Sequence, residues 1–170
     1  AETTSERAAL LGSAYKRLAT LLEYWESPGD DPRQPRSIRE ALRQSIEWYG
    51  RAEGVPGQAS FRPYNRLNRL ALQAVLGEAL EEGAALAREA GEAAVARFAA
   101  SRDYWDRIMG ADALLAESLF DGSLAGERAE EAQAAIVARY AAARESAPES
   151  ARQFDSVVGQ IDTLAQLLER

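Results

Sequence analysis

The 170-residue chain contains no cysteine and no histidine. Without cysteine there is no disulfide framework and no thiol nucleophile, which fits a reducing compartment such as the cytoplasm. Without histidine there is no Ser-His-Asp triad, no imidazole acid–base step and no zinc site of the usual ligand types. Lysine is nearly absent too: Lys16 stands alone beside 19 arginines. Nowhere is there a run of about 18 apolar residues, so neither a membrane span nor a membrane partner is expected. No secretory leader pattern is present either. Methionine occurs once, as Met109, and the chain opens Ala1-Glu2. That opening is expected for a piece of a longer polypeptide, within which these residues make a single domain.

What is present is alanine, 35 residues of it, together with abundant leucine and few β-branched residues. This composition favours helix almost throughout. Breaks fall at Ser27-Pro28-Gly29-Asp30-Asp31-Pro32 with Pro35, at Gly54-Val55-Pro56-Gly57, at Asp121-Gly122-Ser123 and around Pro148. Thr3-x-x-Glu6 and Ser37-x-x-Glu40 are capping-box patterns, and Pro63 suits a first helical turn. Helices are predicted at about 4–26, 37–53, 62–77, 79–99, 102–120, 124–146 and 149–169. The expected fold is all-α: antiparallel helical hairpins forming a bundle or short solenoid of about seven helices.

Charge is uneven. Residues 33–69 hold eight arginines (33, 36, 39, 43, 51, 62, 66 and 69) against three glutamates (40, 47 and 53), while the whole chain carries −7. The acidic total disfavours nucleic-acid binding, whereas a basic segment on an acidic body attracts a compact anion.

Helical periodicity places Phe154, Val157, Val158, Ile161, Leu164, Ala165 and Leu168 on one stripe for burial. On the first helix Leu11, Ala14, Tyr15, Leu18, Leu22 and Trp25 form the apolar face, with Ala8, Gly12 and Ala19 as a small-residue edge and Lys16 beside it. Two apolar faces are interrupted. Asn68 lies among Tyr64, Leu67, Ala71 and Val75, and Asp112 among Trp105, Ile108, Leu115 and Leu119. A buried amide or carboxylate needs partners. Either neighbouring helices supply them, or the pair lines a groove and meets a ligand; in both cases Lys16, Arg66 or Arg69 would serve as the counter-ion for Asp112.

Leu11-Gly12-x-x-Tyr15 resembles the first helix of a tetratricopeptide repeat, whose partner would run from Glu40 to Ala52. A longer series follows in order: Gly12-Ser13-Ala14-Tyr15-Lys16-Arg17, Tyr64-x-x-x-Asn68, Asp103-Tyr104-Trp105 with Asp112-Ala113-Leu114-Leu115, and Ser156-Val157-x-x-Gln160-Ile161-Asp162. Together these resemble the tetratricopeptide-repeat sensor (TPR-S) family of bacterial conflict systems. Where that family has a proline after the tyrosine, this chain has Asn65.

The resemblance implies a TPR-like helical domain that senses a small, nucleotide-derived signal and controls an effector in the same or a neighbouring chain. It implies that Lys16 and Arg17 hold negative charge and that Tyr64 and Asn68 shape a groove. Trp105 would offer a stacking face, and Asp112 would accept from a ribose or base. The alternative is a scaffold for a peptide or partner subunit. No catalytic activity, cofactor or metal is expected. Asp103, Asp106 and Asp112 share a predicted helix, but Asp103 and Asp112 are more than two turns apart and point differently.

Overall fold

The computed structural model describes residues 4–22, 37–101, 103–145 and 151–168, without the side chains of 151 and 152. Among them all regular structure is helical: α1 (Ser5–Leu21), α2 (Ile38–Ala52), α3 (Pro63–Val75), α4 (Gly83–Ser101), α5 (Tyr104–Asp121), α6 (Ala129–Glu145) and α7 (Ala151–Leu168). Trp25, the proline-rich loop from Ser27 to Pro35, Arg33, Arg36 and the turn at Pro148 lie outside the described residues. No helix among the described residues is long and apolar enough to cross a membrane. The chain divides into two compact units, Ala1–Leu76 and Gly77–Arg170.

Helix ends follow from local chemistry. The Ser37 side chain accepts from Glu40 N at 3.1 Å, as its capping pattern predicts, and Pro63 opens α3. α1 is capped by Thr4, which accepts from Arg7 N, whereas the predicted cap, Thr3, lies outside the described residues. Asp103 caps α5, accepting from Trp105 N at 2.8 Å, and this separates α4 from α5. α5 ends at Gly122, whose φ of 73° is open to glycine, and the Asp121 side chain accepts from Ser123 N. α4 starts four residues later than predicted, because Gly83 N bonds to Leu80 O in a preceding turn. α6 also starts late, behind a short 3₁₀ turn at Gly126–Arg128 whose glycine has a φ of 72°.

In the first unit α1 packs on α2 and α2 on α3. The face that α1 buries is not the predicted one. Ala8, Gly12 and Ala19 are buried, while Leu11 and Ala14 are exposed and Tyr15 and Leu18 half-buried. The reason is the size of what α2 presents. A Cβ on Gly12 would stand 2.9 Å from Tyr49 Cγ, so the aromatic ring occupies the volume that a side chain on α1 would need. Small residues face the large one, and the helix axes close on the ring. Leu42, Tyr49, Leu70 and Leu72 are fully buried in the same unit, each worth about 2 kcal/mol of apolar burial.

The second unit is built differently. α4 packs on α5 and α5 on α6, and most of the buried apolar side chains on α4 and α5 are alanines: 87, 90, 94, 111, 113 and 116. A Cβ on Gly91 would lie 2.7 Å from Ala113 Cβ, which shows how near the two helices run. A further apolar cluster joins Tyr104, Ile108, Ile136, Tyr140 and Val157. On α7 the predicted stripe is turned. Val157, Leu164 and Leu167 are buried with Phe154 and Ile161 half-buried, whereas Val158, Ala165 and Leu168 are exposed. The i, i+3, i+7, i+10 series from Phe154 meets the core, and the residues one position beyond it face outward.

Candidate functional site

The first unit gathers four of the sequence-predicted site residues around one phenol. Tyr49, toward the end of α2, is fully buried, and its hydroxyl is shared with Ser13 Oγ at 2.9 Å. Its ring meets that of Tyr64 edge to face, with centroids 6.3 Å apart. Burial, then the neighbouring Tyr64, pushes the Tyr49 phenol well above its ordinary pKa, while Arg17 and the Ser13 hydrogen bond pull it down. Tyr49 is therefore a neutral hydrogen-bonding post at any ordinary pH. Arg17 is exposed on α1 within electrostatic reach of it.

Lys16 reaches the same place from the next position on α1. Its Nζ donates to Asn68 Oδ1 at 2.6 Å and stands 5.8 Å from the centre of the Tyr49 ring. Asn68, 4% exposed, donates through Nδ2 to Tyr64 O at 2.9 Å. Both ends of that amide are engaged within the unit. Asn68 thus fixes the ammonium against α3, which is the strut reading of its place on an apolar face. Tyr64 remains 37% exposed, so the cluster has one aromatic face open to solvent.

One turn away lies a buried ion network. Glu53 Oε1 accepts from Arg66 Nε at 2.6 Å and Oε2 accepts from Arg69 Nε at 2.8 Å. Arg66, 4% exposed, also lies over the Phe61 ring at 4.6 Å. The two arginines considered as counter-ions for Asp112 both bind Glu53. Sequence reasoning missed Glu53, and also Tyr49 as the hub. The signals were there: a helix-end glutamate in an arginine-rich segment with Arg66 and Arg69 three apart, and a tyrosine on the Leu42-Ser45-Tyr49-Ala52 face. Asn65 Nδ2 donates to Ala52 O at 2.8 Å, tying α3 to the end of α2.

Trp105 and Asp112 belong to the second unit. Trp105 is 38% exposed and meets Tyr104 edge to face at 5.7 Å. Asp112 is half-buried and accepts from the Tyr140 hydroxyl at 2.6 Å. Burial, then the Asp112 charge, drives the Tyr140 phenol far above its usual range. The other carboxylates of α5 are occupied structurally: Asp103 caps the helix, and buried Asp106 accepts from Ser101 Oγ at 2.7 Å and faces Arg97. Among the described residues no cluster of three or more acidic side chains stands ready for a metal.

No curated protein and no solved structure matches the chain. Residues 1–73, all but the last three of the first unit, match the family described as Tetratricopeptide Repeats-Sensor (TPR-S). The patterns from Asp103 onward lie beyond that match. A module of helical repeats with a sensor's family name thus coincides with the unit that holds the Lys16–Tyr49–Tyr64–Asn68 cluster, and the resemblance to TPR-S is carried there.

Proposed function

We propose that the chain is a non-catalytic sensing module of a bacterial defence system. Its first unit takes a small anionic, nucleotide-derived ligand and passes the binding energy to an attached effector. The observation that carries the reading is Lys16, the chain's single ammonium, held by Asn68 beside an open tyrosine face and an exposed Arg17. The Lys16 ammonium and the adjacent Arg17 guanidinium of α1 supply charge for phosphate oxygens, and Tyr64 supplies a surface for a base. Lys16 bridges α1 to α3 through Asn68, so a ligand drawing on its charge would favour one arrangement of these helices over others.

The test is thermal unfolding of wild type and Lys16→Ala with a panel of nucleotides and NAD-derived metabolites. One member is expected to stabilise the wild type, by about 2.7 kcal/mol at a hundredfold excess over its Kd, with little effect on the variant. No stabilisation by any member, or an equal response in Lys16→Ala, would overturn the reading. The scaffold alternative is favoured by Leu10 and Leu21, 65% and 56% exposed on α1. It requires capture of a purified neighbouring gene product without added metabolite.

A further inference from the structure

Outside the TPR-S match, α6 and α7 leave a cleft of about 670 Å³ between them. Its volume falls within the range of small-molecule sites. The walls are apolar on both sides: Val137 on α6 is 67% exposed and Val158 on α7 is 39% exposed, with Tyr140 and Ile161 behind them. Such facing apolar surface, open to water from two helices, is the feature that ligand-binding grooves share.

The cleft's polar groups are few and specific. Among the described residues, Arg144 is its one cationic lining residue and Glu145 its one anionic one. The Arg144 guanidinium lies 4.7 Å from the centre of the Phe154 ring, which covers one face of the cation. A stacked guanidinium keeps its N–H edges in plane, where they can grip a carboxylate or sulfonate with two parallel bonds. Glu145 beside it disfavours a multiply charged anion. Behind the wall, in the cluster that contains Tyr140, Val157 and Ile161, the buried Tyr104 hydroxyl has no hydrogen-bond partner among the described residues. Burial, then the Asp112 charge, raises its pKa, and the Arg144 charge lowers it.

We infer that the α6–α7 cleft is a binding site for an amphipathic monoanion: a ring system or alkyl chain bearing one carboxylate or sulfonate. The apolar body lies between Val137 and Val158, and the acid head pairs with Arg144. The surrounding unit is strongly acidic, with nine arginines against 18 carboxylates, so the Arg144 guanidinium picks the orientation of the bound molecule. This site is independent of the nucleotide reading, since it uses other residues and another ligand chemistry.

The test is fluorescence titration of the whole chain with anilinonaphthalene sulfonate, an amphipathic monoanion, competed by decanoate, decan-1-ol or ATP. Expected is saturable binding of one probe per chain, displaced by decanoate and not by ATP. Decan-1-ol should compete about tenfold more weakly than decanoate. Arg144→Gln should weaken the probe about tenfold and Val158→Asp should abolish binding, with circular dichroism and melting temperature as in wild type. Arg144→Lys should recover part of the loss. Binding that is unsaturable, unchanged in both variants, or displaced best by ATP would overturn the inference. A dimer that Val158→Asp dissociates, with no probe binding, would assign the cleft to a second copy and overturn it as well.

Discussion

The two units are built from one all-helical composition and reach opposite interiors. The first carries eleven basic against nine acidic residues, the second nine against eighteen. Among the described residues, Ser45, Glu53, Asn65, Arg66 and Asn68 are buried in the first, whereas Asp106, Ser118 and Ser123 are the buried polar residues of the second. Six of the seven largest fully buried side chains also belong to the first unit, with Ile108 as the exception. The first unit is therefore keyed: a large ring set against a glycine, and charges that must find named partners. The second is laminated, with alanine faces in close contact and an exposed arginine in the ion pairs of Arg97 with Asp106 and Arg88 with Glu117. A keyed interior specifies one arrangement of helices, which suits a part that must recognise something. Alanine faces specify spacing and leave register to the few larger residues.

The sharpest way to break this comparison is Glu53→Gln. It removes the charge that Arg66 and Arg69 share inside the first unit, and about 3 kcal/mol of stability should go with it, read from urea unfolding. Gly12→Ala comes next. Its new methyl meets the Tyr49 ring, which Ser13 and Tyr64 hold in place, and the overlap should cost about 2 kcal/mol. Glu117→Gln is the counterpart in the second unit. Its partner Arg88 is largely exposed, and the loss should be a small fraction of that in Glu53→Gln, by the same urea unfolding. If Glu117→Gln costs as much as Glu53→Gln, the contrast between a keyed and a laminated unit fails.

Much of the candidate site was legible in the amino acids. The isolated Lys16, the asparagine on an apolar face and the glycine at a helix edge all mark positions where ordinary helix packing is interrupted. Their partners were not legible. That Lys16 meets Asn68 depends on how α1 lies beside α3, and that Glu53 meets Arg66 depends on the turn between α2 and α3. The buried faces of α1 and α7 were misjudged for a related reason. Periodicity ranks residues by apolarity, yet the face that is buried is the one whose shape fits the neighbour. Gly12 and Ala19 lost that ranking to Leu11 and still won the contact.

From the amino acids alone came the helices, the Ser37 cap and the Pro63 start, the absence of thiol and imidazole chemistry, and the basic segment within an acidic chain. These are local or additive properties, set by propensity, capping and composition. Only the tertiary structure decided which helix faces are buried, which carboxylate each arginine answers and where a cleft remains. Those outcomes turn on steric fit and on interactions between residues far apart in the chain, and no local pattern encodes them.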